Sequence, residues 1–165
     1  MDLPKLKIRL YGDPCLRQKS SEVKEVGPAE RMLITSMIET MYAAKGIGLA
    51  APQVGINRRI FVVDIGEGPI VFVNPKILKT EGEAVQEEGC LSIPDVHVQV
   101  SRPARIRITY RDEENQPQEA VFDALFARAI QHENDHLDGR LIIDYLGDKE
   151  RQALIPKLEN IQEEA

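Results

Sequence analysis

Tryptophan is absent from this 165-residue chain, and it holds only two cysteines and three histidines. Two thiols, Cys15 and Cys90, are too few for a disulfide scaffold, so an apolar core has to hold the fold. No apolar run is long enough to span a bilayer, so no membrane-spanning helix is expected. The opening residues, MDLPKLKIRLYGDP, contain neither a signal-type apolar stretch nor an Arg- and Ser-rich leader, so a cytoplasmic protein is expected. Basic excess is missing as well. The formal charge is −6, with no basic block to override it. This argues against binding to nucleic acid, sequence-specific or general, and against an anionic membrane surface.

What is present has the balance of a globular domain, with 42% hydrophobic and 29% charged residues. No repeat, low-complexity run or linker divides it, so residues 1–165 are expected to form a single domain. Pro28 to Lys45 reads as a first helix. Leu33, Ile34, Met37, Ile38 and Met41 recur at helical spacing, Pro28 suits the first helical position and Gly46 a stop. Short β-rich runs follow at 60–65, 70–73, 96–100, 106–110 and 120–122, separated by Gly, Pro, Asn and Asp clusters. With no helical pattern between them, an antiparallel meander is expected. A second helix, largely buried, spans Asp123 (a plausible N-cap) to Leu137, with Gly139 just past its end. A third runs over 148–162 with Leu154, Ile155, Leu158 and Ile161 on one face and a kink at Pro156. The fold class is therefore α+β: antiparallel sheets around a central buried helix, with an N-terminal and a C-terminal helix.

That central helix carries Q-H-E-N-D-H. Residues four apart lie one turn above each other, so His132 and His136 can reach one metal ion. Glu133 is rotated about 100° from His132, as 3.6 residues per turn requires, and can stand beside the metal without ligating it. This H-E-x-x-H arrangement defines a metal hydrolase but leaves its substrate open. The third ligand discriminates. A zinc peptidase on this helix would take a downstream Glu or His, yet no His follows His136 and the first downstream Glu is Glu150 in the third helix. Upstream lies E-E-G-C-L-S-I-P, with Cys90 the one thiol of the strand-rich region. A Cys–His–His set leaves a fourth position open, as a catalytic site needs. A structural zinc domain would want a fourth ligand nearby, and neither Cys15 nor His97 has convincing spacing. Cys15 reads as a small packing residue and His97 as a strand residue near a cleft rim.

Three blocks, G-I-G-L-A-A-P-Q at 46–53, E-G-C-L-S at 88–92 and Q-H-E-N-D-H at 131–136, resemble in order and separation the signature motifs of bacterial peptide deformylases. The likeness extends to Y-G-D-P-C-L-R near the N-terminus and to the third helix. The resemblance implies hydrolysis of the formyl group from the N-terminal formylmethionine of newly synthesised polypeptides, releasing formate. A water activated at the metal would attack the formyl carbon. Glu133 would act as general base and then general acid. The side-chain amide of Gln53 and the backbone N–H of Leu91 would serve as oxyanion donors. Gly46, Ile47 and Gly48 would pair with the substrate main chain, the glycines permitting close approach. Glu88, Arg102 and Asp135 match family positions that form a charged cluster orienting the ligands.

Counting back from His132 by three, four and seven gives Ala129, Arg128 and Leu125, which should flank the methionine side chain. The stem of Arg128 is expected to line that pocket while its head reaches water. Two imidazoles and a thiolate suit zinc, iron or nickel, and cobalt can substitute. The resemblance points to one Fe(II) ion per chain in the cell. In some relatives a basic C-terminal helix is credited with docking on the ribosome. Here the segment 147–165 holds Lys149, Arg151 and Lys157 against Asp148, Glu150, Glu159, Glu163 and Glu164. A transient ribosome contact through that helix is not expected.

Overall fold

The computed structural model describes residues 5–164. Helix α1 (Pro28–Ala43) is followed by strands β1 (Gly48–Ala50) and β2 (Ile60–Val63), with a 3₁₀ turn, Ala51–Val54, between them. Strands β3 (Ile70–Glu81), β4 (Ala84–Cys90), β5 (Ile93–Arg102), β6 (Arg105–Arg111) and β7 (Pro117–Asp123) come next. Helix α2 (Ala124–Leu137), a 3₁₀ turn at Ile142–Tyr145 and helix α3 (Asp148–Glu164) complete the order. The strands form a five-stranded antiparallel sheet, β1-β2-β3-β6-β7, and a separate β4-β5 hairpin. The expected simple meander is thus interrupted, because β3 pairs with β6 across the excluded hairpin.

Strand β2 shows why the sheet needs helices on both sides. All four of its residues are buried, and strand geometry sends alternate side chains to opposite faces. Ile60 and Val62 enter a core with Ile34, Met37 and Met41 of α1. Phe61 and Val63 enter another with Ala127 and Ile130 of α2. Helix α2 is also covered by the hairpin, since the guanidinium of Arg128 reaches the carbonyls of Val100 and Ala84. A third core joins Val96, Val98 and Val100 of β5 to Leu158 and Ile161 of α3.

Several local expectations are corrected. Helix α1 stops at Ala43 because Lys45, at φ 59°, takes the left-handed position, and the N–H of Gly46 closes back on the carbonyl of Met41. Gly46 is therefore not the residue that turns the chain. Asp123 makes no side-chain cap bond to α2; Ala124 instead takes φ 50° and donates its N–H to the carbonyl of Ala104. On α3, Leu154, Leu158 and Ile161 face inward, whereas Ile155 lies about 100° off that stripe and is 45% exposed. The helix runs unbroken through Pro156. Strand β4 had no sequence expectation because its one large apolar residue, Val85, is 60% exposed and no alternation marks it.

Candidate metal centre

Two elements meet at the site. Cys90 ends β4 beside the hairpin turn, and α2 presents His132 and His136 one helical turn apart. One atom from each, a sulfur and two ring nitrogens, lies within 4.8 Å of the others. Nε2 of His136 is 3.4 Å from Sγ of Cys90. Nδ1 of His132 lies 3.0 Å from Oε1 of Glu88. An ionised carboxylate only accepts hydrogen bonds, so that nitrogen donates and Nε2 turns toward the cysteine.

Burial governs the charges. Desolvation raises the carboxyl of Glu133 to about 7, against the lowering effect of the His132 and Arg102 charges. Burial alone would lower His132, but the neighbouring Glu133, Cys90 and Glu88 hold it well above the usual histidine range. His136 is pushed well below that range by burial and then by the positive charge of His132. Nδ1 of His136 and Oε1 of Glu133 are buried with no hydrogen-bond partner among the described residues. The sulfur and the two ring nitrogens that converge here suit a cation. The donor set suits a borderline-soft divalent ion.

A charged cluster backs the helix. Arg102 grips Glu88 with Nε at 2.6 Å and Nη2 at 2.8 Å, and its Nη1 reaches Asp135 at 2.9 Å. Glu88 and Arg102 are only 7% and 4% exposed, so these are not solvated surface charges. Burial pulls the Glu88 carboxyl upward, but Arg102 and His132 outweigh it and hold it at about 2. Tyr145 joins from the 3₁₀ turn. Its hydroxyl donates to Asp135 at 2.6 Å while its ring stacks 5.0 Å from the Arg102 guanidinium. No local motif marked Tyr145, since only the returning chain brings it there.

The cleft over this centre measures about 500 Å³ and is lined in part by Gly46, Ile47, Gly48, Leu125, Ala129 and His97. Gln53 is 1% exposed at its floor. Its Oε1 accepts from the N–H of Ala50 at 2.9 Å, which aims Nε2 toward Sγ of Cys90 at 3.7 Å and Oγ of Ser92 at 3.2 Å. Ser92 is fully buried and was not singled out in the sequence, although it closes the E-G-C-L-S block. Leu91 packs its side chain on Gly46. Gly48 faces Glu133 so closely that a Cβ there would lie 2.5 Å from Oε2. Arg128 lines the cleft as expected, but its head turns away from water, and the whole residue is 7% exposed.

A thiol, two imidazoles and a buried carboxylate around one point, at the floor of a peptide-sized cleft, define a hydrolase of the metal-dependent class. The family model described as polypeptide deformylase matches residues 5–152. The chain belongs to the polypeptide deformylase family. It is 51% identical over 145 residues to peptide deformylase 1 of Clostridium acetobutylicum, covering 87% of this chain and 95% of that one. It is 52% identical over 137 residues to a peptide deformylase of Clostridium botulinum, with 83% and 93% covered. The crystal structure of a peptide deformylase from Legionella pneumophila superposes with a TM-score of 0.91 at 36% identity, over 97% of this chain and 96% of that one.

Proposed function

We propose that Cys90, His132 and His136 hold one divalent cation, at which this enzyme removes the formyl group from the N-terminal formylmethionine of newly made polypeptides and releases formate. The reading is carried by the convergence of one sulfur and two ring nitrogens within 4.8 Å, beside Glu133, whose buried Oε1 has no hydrogen-bond partner among the described residues. A bound cation supplies Lewis acidity, lowering the pKa of a water and polarising the formyl oxygen. Fe(II) is the ion assigned in the cell, with zinc, nickel or cobalt able to substitute.

Glu133 takes the proton from the attacking water and passes it to the departing amine, general base and then general acid. Burial raises the proton affinity of its carboxyl. Nε2 of Gln53 and the backbone N–H of Leu91 donate to the oxyanion as the formyl carbon becomes tetrahedral. The peptide main chain adds to the open edge of β1, the first strand of the sheet, along Gly46, Ile47 and Gly48. Main-chain pairing suits an enzyme that accepts many sequences after the methionine. Leu125 and Ala129 flank the methionine side chain, Ala129 leaving room for an unbranched thioether.

The substrate arises where polypeptides are made, so the cytoplasm is the assigned compartment. No helix among the described residues is long and apolar enough to cross a membrane. Any transient ribosome contact is assigned away from α3, whose first turn is acidic and whose last turn holds no basic residue.

Formate release tests the reading directly. A formylmethionyl peptide should yield one formate per free amine, and the same peptide without the formyl group should stay intact. Cleavage of an internal peptide bond in the unformylated substrate would assign a peptidase instead. Removing metal with a chelator should abolish formate release, and divalent metal should restore it.

Gly48 offers a second test. The Cβ of Gly48→Ala would sit 2.5 Å from Oε2 and 2.9 Å from Cδ of Glu133, inside contact distance. The carboxylate, itself buried, has to shift. Misplacing a proton-transfer group costs about a hundredfold per ångström. We expect kcat to fall by about ten- to a hundredfold with metal content unchanged. Native kcat in that variant would show that Glu133 does not need this position.

A further inference from the structure

The three candidate ligands come from two elements with no covalent tie nearby: Cys90 from the β4–β5 hairpin, His132 and His136 from α2. Two buried arginines tie hairpin and helix together: Arg102 reaches from β5 to Asp135 of α2, and Arg128 reaches back from α2 to both hairpin strands. Arg128 lies one turn before His132 on the same face of α2. Its Nη1 bonds Oε2 of Glu88 and, at 3.0 Å, the carbonyl of Val100 on β5. Its Nη2 bonds the carbonyl of Ala84 on β4 at 2.7 Å. One planar guanidinium thus spans both hairpin strands and the carboxylate that orients His132. A planar fork of several fixed donors can do this; a single ammonium cannot.

The charges agree with that role. Arg102 and Arg128 face Glu88 and Asp135, two cations against two carboxylates. Arg102 is shared between Glu88 and Asp135, so Arg128 supplies the second cation that balances the two carboxylates. Beyond that charge, Arg128 adds the tie to the two strand carbonyls. It also takes the Glu88 oxygen that His132 does not use, which leaves Oε1 facing the imidazole.

We propose that Arg128 is a positioning residue for the metal centre, clamping the β4–β5 hairpin and Glu88 to α2 and so setting Cys90 against His132 and His136. This rests on the metal-site reading above and extends it to a residue whose sequence-based expectation was a pocket wall.

The test uses the full chain loaded with cobalt(II), with a competing chelator to read affinity and absorption to read the ligand field. Arg128→Met keeps the length of the stem and removes the head, while Arg102 still pairs Glu88. Removing an orienting partner of a ligand typically weakens metal binding by about ten- to a hundredfold. We expect that loss of cobalt affinity, with altered visible bands. Arg128→Lys, which keeps a cation by Glu88 but cannot span both carbonyls, should fall between the two.

Native cobalt affinity and spectrum in Arg128→Met would overturn the proposal, whether or not the melting temperature falls. A raised KM with unchanged cobalt binding would return Arg128 to the pocket wall and also overturn it. Should Arg128→Met fail to fold, Arg128→Lys decides, because native affinity there shows the clamp is dispensable. If the native chain shows no thiolate-to-cobalt band, the metal-site reading itself fails and this inference falls with it.

Discussion

Glu133→Gln should keep a full complement of metal and lose about two to four orders of magnitude in turnover, the usual weight of general acid–base catalysis. The substitution preserves shape in a slot that is 4% exposed, so the fold should hold. Glutamine can hydrogen-bond a water but cannot accept its proton. The geometry keeps Oε2 of Glu133 3.9 Å from Nε2 of His132, close enough to share a water and too far for a direct hydrogen bond. Metal analysis and kcat on the same preparation check the outcome. Loss of stoichiometric metal with the fold intact would make Glu133 a ligand, and the division of labour proposed here would be wrong.

Cys90→Ser should have the larger consequence, removing both tight metal binding and activity. A serine hydroxyl is a poor ligand at neutral pH, whereas a thiolate binds borderline-soft ions strongly. Cys15→Ser should change neither. Cys15 packs among Leu16 and its neighbours on the α3 side of the molecule, where burial, and then the Asp13 side chain, push its thiol up to about 12. A thiol held protonated is a poor ligand and a poor nucleophile. In the cobalt(II) form, an intense near-ultraviolet sulfur-to-metal band should be present in the native chain and in Cys15→Ser and absent from Cys90→Ser. Full deformylation by Cys90→Ser would reopen the choice of third ligand.

The charged cluster bears on how such variants should be read. Glu88, Arg102, Arg128 and Asp135 are buried or nearly so and mutually paired. Truncating one member leaves an uncompensated partner in a low-dielectric setting, which costs about 3–5 kcal/mol in comparable cases. Loss of activity in such a variant is therefore informative only beside a measured melting temperature. Glu133 and Cys90 avoid that ambiguity, since neither pairs with an arginine.

The H-E-x-x-H helix was legible because its information is local. Histidines four apart on an α-helix share a face whatever surrounds them, and the same periodicity located α1 and most of α3. The α+β class was legible too, from β-rich runs between helical ones. The three motif blocks singled out Cys90, Gln53 and Gly48 as a set before any geometry brought them together.

Other features depended on distant parts of the chain. Strand β4 carries charged residues with no alternation, and it is a strand because β5 pairs with it and Glu88 finds buried cations. Residue 128 shows the limit most clearly. Helical spacing put it on the correct face, but a lone arginine on an apolar helix is expected to send its head to water. Only the folded chain supplies, at one place, a carboxylate from β4 and the carbonyls of Ala84 and Val100. Tyr145 likewise reaches Asp135 and Arg102 by way of a 3₁₀ turn after the helix. Periodicity and ligand spacing therefore determined which residues could do chemistry. The tertiary structure decided which partners hold them, because a buried polar group points to whatever satisfies it, and such partners are set by packing between elements far apart in sequence.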